Sequence, residues 1–297
     1  MSTIQEINDP LFQEKNLRLL IKRDDLIHSA FGGNKWYKLK YNIEQAKQEK
    51  YTSLLTFGGA FSNHIYATAE AGRVHGLSTI GVIRGEEDVN NNPTLFFAKE
   101  NGMRLHFVTR EEYRKKDDPD FLQSLKKLFG RYYLIPEGGA NTQGVKGCEE
   151  ILNAVNDNFD IVCCPCGTGA TLAGIARTLK DDQHALGFSV LKGSSDLEPG
   201  VAWFMDEKMH TRWTINHDYH SGGYARYSDE LVKFVNIFYN KHSVPLDIVY
   251  TGKMMFGIYD LVRKNTFKAG TTLLAIHTGG LQGNRGFEQR FGLVLPR

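Results

Sequence analysis

Cysteine is scarce in this sequence: the chain has four, and three of them stand close together at Cys163, Cys164 and Cys166. That spacing suits neither a disulfide framework nor the usual arrangement of zinc ligands. We therefore expect reduced thiols in a cytoplasmic protein that holds no metal ion. Cys166 stands next to a glycine-rich turn, where it would either touch a ligand or fill space as a small buried hydrophobe.

Excess charge and long apolar runs are also missing. The formal net charge of +2 is too small to favour nucleic acid or an anionic membrane as a partner. The longest uncharged stretch, Ile161 to Ala176, contains a proline and three glycines and is too short to span a membrane. The segment from Met1 to Pro10 lacks the basic region and apolar core of a secretory signal. We therefore expect neither nucleic acid nor a membrane as a partner.

What the sequence does contain is an alternation of short β-type runs and helical patterns along most of its 297 residues. Ser53–Phe57 is followed by Gly58-Gly59, and Ile161–Cys164 by the turn Gly167–Gly169. A helical pattern follows each of these turns. This alternation indicates βαβ units, in which parallel strands are covered by helices on both faces. The predicted fold class is therefore α/β, and no Pro/Ser-rich linker marks a domain boundary.

Three local predictions can be compared directly with the structure. Asn34 is a favourable N-cap for a helix whose apolar stripe begins at Trp36. A second helix is predicted from about Gln143 to Val155. The apolar run Asp247–Tyr250 is predicted to be a strand.

Lys35 is the residue around which the other patterns are organised. It follows Gly32, Gly33 and Asn34, and therefore falls in the first turn of the predicted helix. The helix dipole and the free N–H groups at that end favour acids, so a lysine amine there is shifted toward its neutral form. A neutral amine attacks carbonyl groups to form a Schiff base. The plain alternative is that Lys35 is solvated, like the neighbouring Lys38 and Lys40.

Four further turns carry polar side chains at predicted strand ends, where parallel α/β proteins bind their ligands. The turn from Gly167 to Thr171 has two threonines among free N–H groups, which is suitable for a phosphate. Each turn also has a structural explanation: His64 and His277 would be satisfied core histidines, and Ser62 a helix cap. Taken together with Lys35, the set indicates a cofactor with an aldehyde and a phosphate. The four turns are Gly58–His64, Cys166–Thr171, Tyr250–Lys253 and His277–Gly280.

These motifs resemble those of a known enzyme family. The chain is similar to the 1-aminocyclopropane-1-carboxylate (ACC) deaminase and D-cysteine desulfhydrase family, which uses pyridoxal phosphate and has the tryptophan synthase β-subunit fold type, also called fold type II. The resemblance extends from about Arg18 to Phe287 with the motifs in the family's order. It is carried by Gly32-Gly33-Asn34-Lys35, Gly59-Ala60-Phe61-Ser62-Asn63-His64, Gly167-Thr168-Gly169-Ala170-Thr171, Val249-Tyr250-Thr251-Gly252-Lys253 and His277-Thr278-Gly279-Gly280.

The resemblance implies a role for each site residue. It implies that Lys35 holds the cofactor covalently, that Asn63 contacts the pyridoxal ring, and that Ser62, Asn63 and His64 receive the substrate carboxylate. Tyr224 and Tyr250 match the family's pair of active-site tyrosines, so Lys35, Ser62 and the two tyrosines are the expected catalytic residues. The phosphate is expected over Gly167, Thr168, Gly169, Ala170 and Thr171.

The resemblance also implies the architecture. It implies two three-layer α/β/α domains with parallel sheets. A small domain, residues 41–149, would be inserted into a large cofactor-binding domain made of residues 1–40 and 150–297. Members of the family are usually homodimers, and a homodimer is expected here.

Two positions bear on which reaction is catalysed. ACC deaminases have glutamate after the motif tyrosine and leucine after the motif histidine, whereas this chain has Thr251 and Thr278. A glutamate beside the pyridine nitrogen keeps that nitrogen protonated, while a threonine is a neutral partner and favours β-elimination. We therefore expect Thr251 beside the cofactor, Thr278 beside the substrate, and D-cysteine desulfhydrase activity. ACC deaminase activity, giving 2-oxobutanoate and ammonia, is the alternative.

Overall fold

Two separate β-sheets form the framework of the protein in the computed structural model, which describes residues 3–86, 89–206 and 211–296. Within these ranges there are ten strands, in chain order β1 (Thr3–Glu6), β2 (Arg18–Arg23), β3 (Ser53–Gly59), β4 (Ser78–Arg84), β5 (Met103–Val108), β6 (Tyr133–Ile135), β7 (Ile161–Cys166), β8 (His184–Ser189), β9 (Trp213–Asn216) and β10 (Thr272–Ile276).

The helices alternate with the strands, as expected for βαβ units. The described residues contain α1 (Pro10–Glu14), α2 (Asn34–Gln48), α3 (Asn63–His75), α4 (Pro93–Glu100), α5 (Arg110–Arg114), α6 (Pro119–Phe129), α7 (Thr142–Cys148), α8 (Ala170–Ala176), α9 (Leu197–Ala202), α10 (Asp229–His242), α11 (Thr251–Arg263) and α12 (Gln282–Phe291). None of these helices is both long enough and apolar enough to cross a bilayer.

The larger sheet has six strands in the order β1-β2-β10-β7-β8-β9, and the smaller has four in the order β5-β4-β3-β6. The edge strand β1 pairs antiparallel with β2, and the other pairs in both sheets are parallel. Parallel sheets are buried on both faces, which accounts for the continuous apolar runs along β3 and β10. The predicted α/β class is confirmed.

The strands divide between the sheets by their position in the chain. All four strands of the small sheet lie between residues 53 and 135, whereas the large sheet takes strands from both sides of that segment. Helix α2 spans residues 34–48, so it crosses the predicted boundary at residue 41. The domain limits at 41 and 149 stay predictions.

Several local predictions differ from the structure. The segment Asp247–Tyr250 is a turn and not a strand, because the Asp247 carboxylate accepts hydrogen bonds from the N–H groups of the next residues and folds the chain back. The helix predicted from Gln143 to Val155 ends at Cys148 and continues only as a 3-10 turn. Strands β1, β2 and β9 were not predicted.

The start of α2 also differs from the prediction. The N-cap is Gly33, with φ of 69°, and Asn34 is the first residue of the helix. The Asn34 side chain does not cap the helix, because its amide nitrogen donates to Thr171 Oγ1 at 2.9 Å. Lys35 nevertheless lies in the first helical turn, as predicted.

Candidate active site

A cavity of about 260 Å³ lies where the carboxyl ends of the two sheets meet. Its wall includes the last residues of β3, β4 and β7, which are Gly59, Arg84 and Cys166. Polar side chains from helix starts and turns complete the wall. Of the predicted site residues, the cavity is lined by Lys35, Ser62, Asn63, His64, Gly167, Thr168, Gly169, Thr171, Tyr224, Tyr250 and Thr278.

The Lys35 amine is the central group of this cavity. It donates a hydrogen bond to Asn34 Oδ1 at 3.0 Å, and Asn34 in turn donates to Thr171. Burial of the amine, followed by the positive charge of Lys38, lowers the pKa of Lys35 to about 7. A large fraction of the amine is therefore neutral and nucleophilic near neutral pH.

Gly33 fixes the position of the helix that carries Lys35. Its N–H donates to Asp24 O at 2.7 Å, and the next N–H, of Asn34, donates to Thr278 O at 3.3 Å. A Cβ atom on residue 33 would lie 2.0 Å from Thr278 O, so only glycine allows the two backbones to approach. The Lys35 helix is thus docked directly against the turn that follows β10.

Ser62, Asn63 and His64 line the cavity from the start of α3. Ser62 Oγ caps the helix by accepting hydrogen bonds from the N–H groups of His64 and Ile65, at 3.2 and 3.3 Å. Asn63 Oδ1 accepts from Gln282 at 2.8 Å. The positive end of the helix dipole at this helix start attracts an anion, such as a carboxylate.

His64 is buried and neutral. Its Nε2 lies 2.9 Å from Thr56 Oγ1, while its Nδ1 is buried without a hydrogen-bond partner among the described residues. Burial, and then the charges of Lys35 and Lys38, hold the pKa of His64 well below its usual value. Because the Thr56 hydroxyl donates to Ile135 O, the ring proton of His64 lies on Nε2, and Nδ1 is left as an acceptor.

The two tyrosines approach each other from separate segments. Tyr224 belongs to the connection between β9 and α10, and Tyr250 directly precedes α11. Their ring centroids are 6.1 Å apart at an interplanar angle of 70°. Burial, followed by the neighbouring Tyr224, raises the pKa of Tyr250 well above its usual value, so its hydroxyl keeps its proton near neutral pH.

Two predicted cofactor contacts lie behind the cavity wall. Ala170 is fully buried, and its side chain does not line the cavity. Thr251 is also fully buried, because its hydroxyl donates to Asp247 Oδ1 at 2.7 Å and accepts from the Asp247 N–H at 2.9 Å. Asp247 therefore engages the Thr251 hydroxyl, and the expected contact between Thr251 and the cofactor stays a prediction.

His277 has the plain structural role that was left open for it. Its Nε2–H donates to Pro245 O at 2.7 Å, and its Nδ1 accepts from the Gly279 N–H at 3.3 Å. The ring is 1% exposed and does not line the cavity. His277 therefore shapes the turn that presents Thr278.

Sequence reasoning missed three charged residues of the wall. Lys38 follows Lys35 by three positions, faces the same cavity and donates to Gly138 O at 3.0 Å. Its i, i+3 spacing from Lys35 was the signal that would have found it. Arg84 ends β4, and Glu137 follows β6, so both stand at strand ends.

The four cysteines are buried free thiols. Burial raises the pKa of Cys148 to about 11, so its thiol stays protonated. Cys166 is 2% exposed, as expected of a small buried hydrophobe. It also lines the cavity, as expected of a residue that touches a ligand. Within the described residues no group of three or more His, Cys, Asp or Glu side chains is arranged to hold a metal ion.

Comparison with known proteins gives consistent results. The profile of a family described as "Pyridoxal-phosphate dependent enzyme" matches residues 5–279. A bifunctional D-cysteine desulfhydrase/1-aminocyclopropane-1-carboxylate deaminase from Arabidopsis thaliana is 31% identical, over 89% of this chain and 73% of that protein. A Pyrococcus furiosus protein with a provisional name as an ACC deaminase is 30% identical, over 89% and 85%.

A solved structure is similar over nearly the whole chain. It is described as an ACC deaminase homologue and is 28% identical in sequence. The match has a TM-score of 0.81 and covers 97% of this chain and 93% of the other. The similarity thus extends over both sheets.

Proposed function

Because this chain belongs to the pyridoxal-phosphate dependent enzyme family, in its group of ACC deaminases and D-cysteine desulfhydrases, we propose that it eliminates the β-substituent of a small amino acid. The fold is fold type II, and the cofactor is pyridoxal 5′-phosphate. The proposed substrate is D-cysteine, which with water gives pyruvate, hydrogen sulfide and ammonia. The observation that supports elimination chemistry is the cavity-facing Lys35 amine with its lowered pKa.

The phosphate end of the cofactor fits the turn that precedes α8. The first turn of a helix leaves its N–H groups without intrahelical acceptors, and these groups bind anions. Thr168 and Thr171 face the same cavity. Thr171 Oγ1 accepts a hydrogen bond from Asn34, which connects this turn to the start of α2.

The aldehyde end fits the position of Lys35. Asn34 connects the two ends, because its Oδ1 accepts from the Lys35 amine and its Nδ2 donates to Thr171. The bound cofactor would supply an electron-withdrawing ring that acidifies the Cα–H of the substrate. The lowered pKa of Lys35 allows its free amine to accept that Cα proton near neutral pH, with a contribution to the rate of roughly 10²–10⁴-fold.

Binding of the substrate carboxylate is assigned to the start of α3. Ser62 and Asn63 present side chains at the cavity, and the positive end of the α3 dipole attracts an anion there. His64 lines the cavity beside these groups, but its ring proton lies on Nε2 and is donated to Thr56, so its Nδ1 can only accept a hydrogen bond from a substrate. These groups orient Cα relative to the Lys35 amine.

The tyrosine pair is assigned to the leaving group. Elimination breaks the Cβ–S bond, and the sulfur leaves with the bonding electrons. Tyr250 keeps its proton because its pKa is raised, so it is a proton source for the departing sulfur, with Tyr224 beside it. Water then replaces the nitrogen, which leaves as ammonia.

The choice of D-cysteine over ACC is supported by the two threonines. Thr278 places a hydroxyl on the cavity wall, where an ACC deaminase has leucine. Thr251 is a neutral residue whose hydroxyl is committed to Asp247, so no glutamate stands at that position to keep the pyridine nitrogen protonated. ACC deamination is the second candidate, because the relatives and the solved homologue carry that name.

A panel of substrates tests this choice. We expect kcat/KM for D-cysteine to exceed that for ACC and for L-cysteine by roughly 10²-fold, because the cavity discriminates by specific polar contacts. Sulfide, ammonia and 2-oxoacid release would be measured with equal amounts of the cofactor-loaded protein. The variant Thr278→Leu should lose selectivity for D-cysteine, while release of 2-oxobutanoate from ACC at the higher rate would establish the second candidate instead.

The pH dependence of cofactor capture tests the state of Lys35. Because the pKa of Lys35 is about 7, the rate at which cofactor-free protein takes up pyridoxal phosphate should rise about fivefold from pH 6 to pH 7 and at most about twofold above that. An ordinary lysine amine would continue to gain about tenfold per pH unit up to about pH 10. Absorbance after rapid mixing measures the rate. Lys40→Met, on the same helix, should leave the midpoint unchanged.

A further inference from the structure

Lys253 is a fully buried lysine that the reaction described above does not use. Its side chain is 1% exposed, and its amine donates a hydrogen bond of 2.8 Å to the carbonyl oxygen of Gly223. The amine forms no ion pair with any carboxylate among the described residues. Burying an ammonium group is unfavourable, and a methionine of similar length would fill the space at no such cost. The Asp247 carboxylate attracts the charge of this amine, and the hydrogen bond to Gly223 O is its direct polar contact among the described residues.

The contact joins the segments that carry the two cavity tyrosines. Gly223 directly precedes Tyr224, whereas Lys253 lies one helical turn after Tyr250 in α11. Fixing the Gly223 carbonyl to α11 therefore fixes the backbone of Tyr224 relative to Tyr250. The rings lie 6.1 Å apart, close enough for a small shift of one segment to separate them.

The Tyr224 segment needs such an anchor because its backbone is unusual. Ser221, Gly222, Gly223 and Ala225 all have positive φ, between 52° and 118°. Non-glycine residues adopt this conformation only when their surroundings impose it. The Gly223 carbonyl accepts from the Lys253 amine as well as from the Arg226 N–H, so it is the point where this strained turn is tied to the rest of the protein.

We propose that Lys253 is a positioning residue that sets the geometry of the Tyr224–Tyr250 pair by holding the Gly223 carbonyl against α11. This inference depends on the proposed role of the two tyrosines in proton transfer to the leaving group. Lys253 itself touches neither the cavity nor the substrate, since it is absent from the cavity wall. Its effect on the reaction passes through Tyr224.

A double-mutant cycle tests the proposal. Lys253→Met should lower kcat by roughly 10- to 100-fold, the equivalent of losing one hydrogen bond from a charged donor, and should change KM much less. In the background of Tyr224→Phe, which already lacks the positioned hydroxyl, Lys253→Met should cause little further loss. Equal losses in both backgrounds would overturn the proposal, since a general packing defect acts independently of Tyr224.

Hydrogen exchange gives a second readout that needs no substrate. Lys253→Met should accelerate amide exchange in residues 219–226 and leave α10 unchanged. The control is Lys268→Met, an exposed lysine that follows α11, which should alter neither kinetics nor exchange. Unchanged exchange in Lys253→Met would overturn the proposal.

The kinetic and exchange measurements distinguish failure of the proposed function from failure of the proposed role of Lys253. If no substrate in the panel is turned over, the proposed function fails, while the exchange experiment still decides whether Lys253 orders the Tyr224 segment. If Lys253→Met does not fold, Lys253→Arg replaces it in the same cycle, because arginine keeps a charged donor of different length and geometry. We then expect a smaller decrease in kcat that again depends on the presence of Tyr224. A decrease in kcat that is the same without the Tyr224 hydroxyl overturns the proposal.

Discussion

Replacing Lys35 with alanine is expected to abolish both the yellow colour of the purified protein and its turnover. The substitution removes the covalent attachment of the cofactor and the amine that accepts the Cα proton. Loss of the proton transfer alone lowers the rate by roughly 10²–10⁴-fold, and loss of the attachment adds to that. Absorbance spectra and 2-oxoacid release, both measured with added pyridoxal phosphate, provide the test.

The control for Lys35→Ala is a lysine at the far end of the same helix. Lys47 lies in the last turn of α2 on an exposed position, so Lys47→Ala should keep both colour and rate. Normal turnover in Lys35→Ala would refute the assignment of Lys35. A colourless wild-type protein that stays inactive with added cofactor would count against the whole proposed function.

Substitution of Gly33 by alanine is expected to have the second largest effect. The new Cβ would lie 2.0 Å from the Thr278 carbonyl oxygen, and the residue would also keep its φ of 69°. Overpacking and the left-handed backbone together should lower the free energy of unfolding by about 3 kcal/mol or more. The start of α2 must move to relieve the clash, and a displacement of about 1 Å at Lys35 costs roughly 10²-fold in rate.

Gly76 provides a matched control for Gly33. It has the same φ of 69° at the end of α3, but a Cβ there would meet nothing within 4 Å. Gly76→Ala should therefore lower the free energy of unfolding by only about 1 kcal/mol and leave the rate unchanged. Urea unfolding of both variants measures the difference. Equal stability of the two variants would show that the contact between Gly33 and Thr278 is unimportant.

Much of the fold and of the cavity wall was accessible from the sequence. Glycine turns after apolar runs predicted strand ends, and the carboxyl ends of parallel strands meet at one edge of a sheet. For that reason Lys35, the Ser62–His64 segment and the Gly167–Thr171 turn were expected to lie together, and the structure places them around one cavity. Their individual roles in binding and catalysis stay proposals.

The remainder depended on interactions that sequence patterns do not contain. The apolar residues Ile248 and Val249 suggested a strand, but the Asp247 carboxylate competes for the backbone N–H groups and produces a turn. The same carboxylate accepts the hydrogen bond of the Thr251 hydroxyl. Arg84 and Glu137 reach the cavity because of the way the two sheets face each other, and no local pattern encodes that orientation.

The hydrogen bond between the Asn34 and Thr171 side chains has a consequence for how the protein folds. It joins residues 137 positions apart, and the Gly33 contact with Thr278 joins the two ends of the chain. Closing such long loops costs conformational entropy before the contacts stabilise the fold. Contacts between residues that are distant in sequence therefore form slowly. The cavity wall also includes Gly59 and Arg84 at the ends of small-sheet strands, so the site is completed only when both sheets have formed. Uptake of the cofactor during refolding would thus report the last step of folding, and partly folded chains would remain colourless.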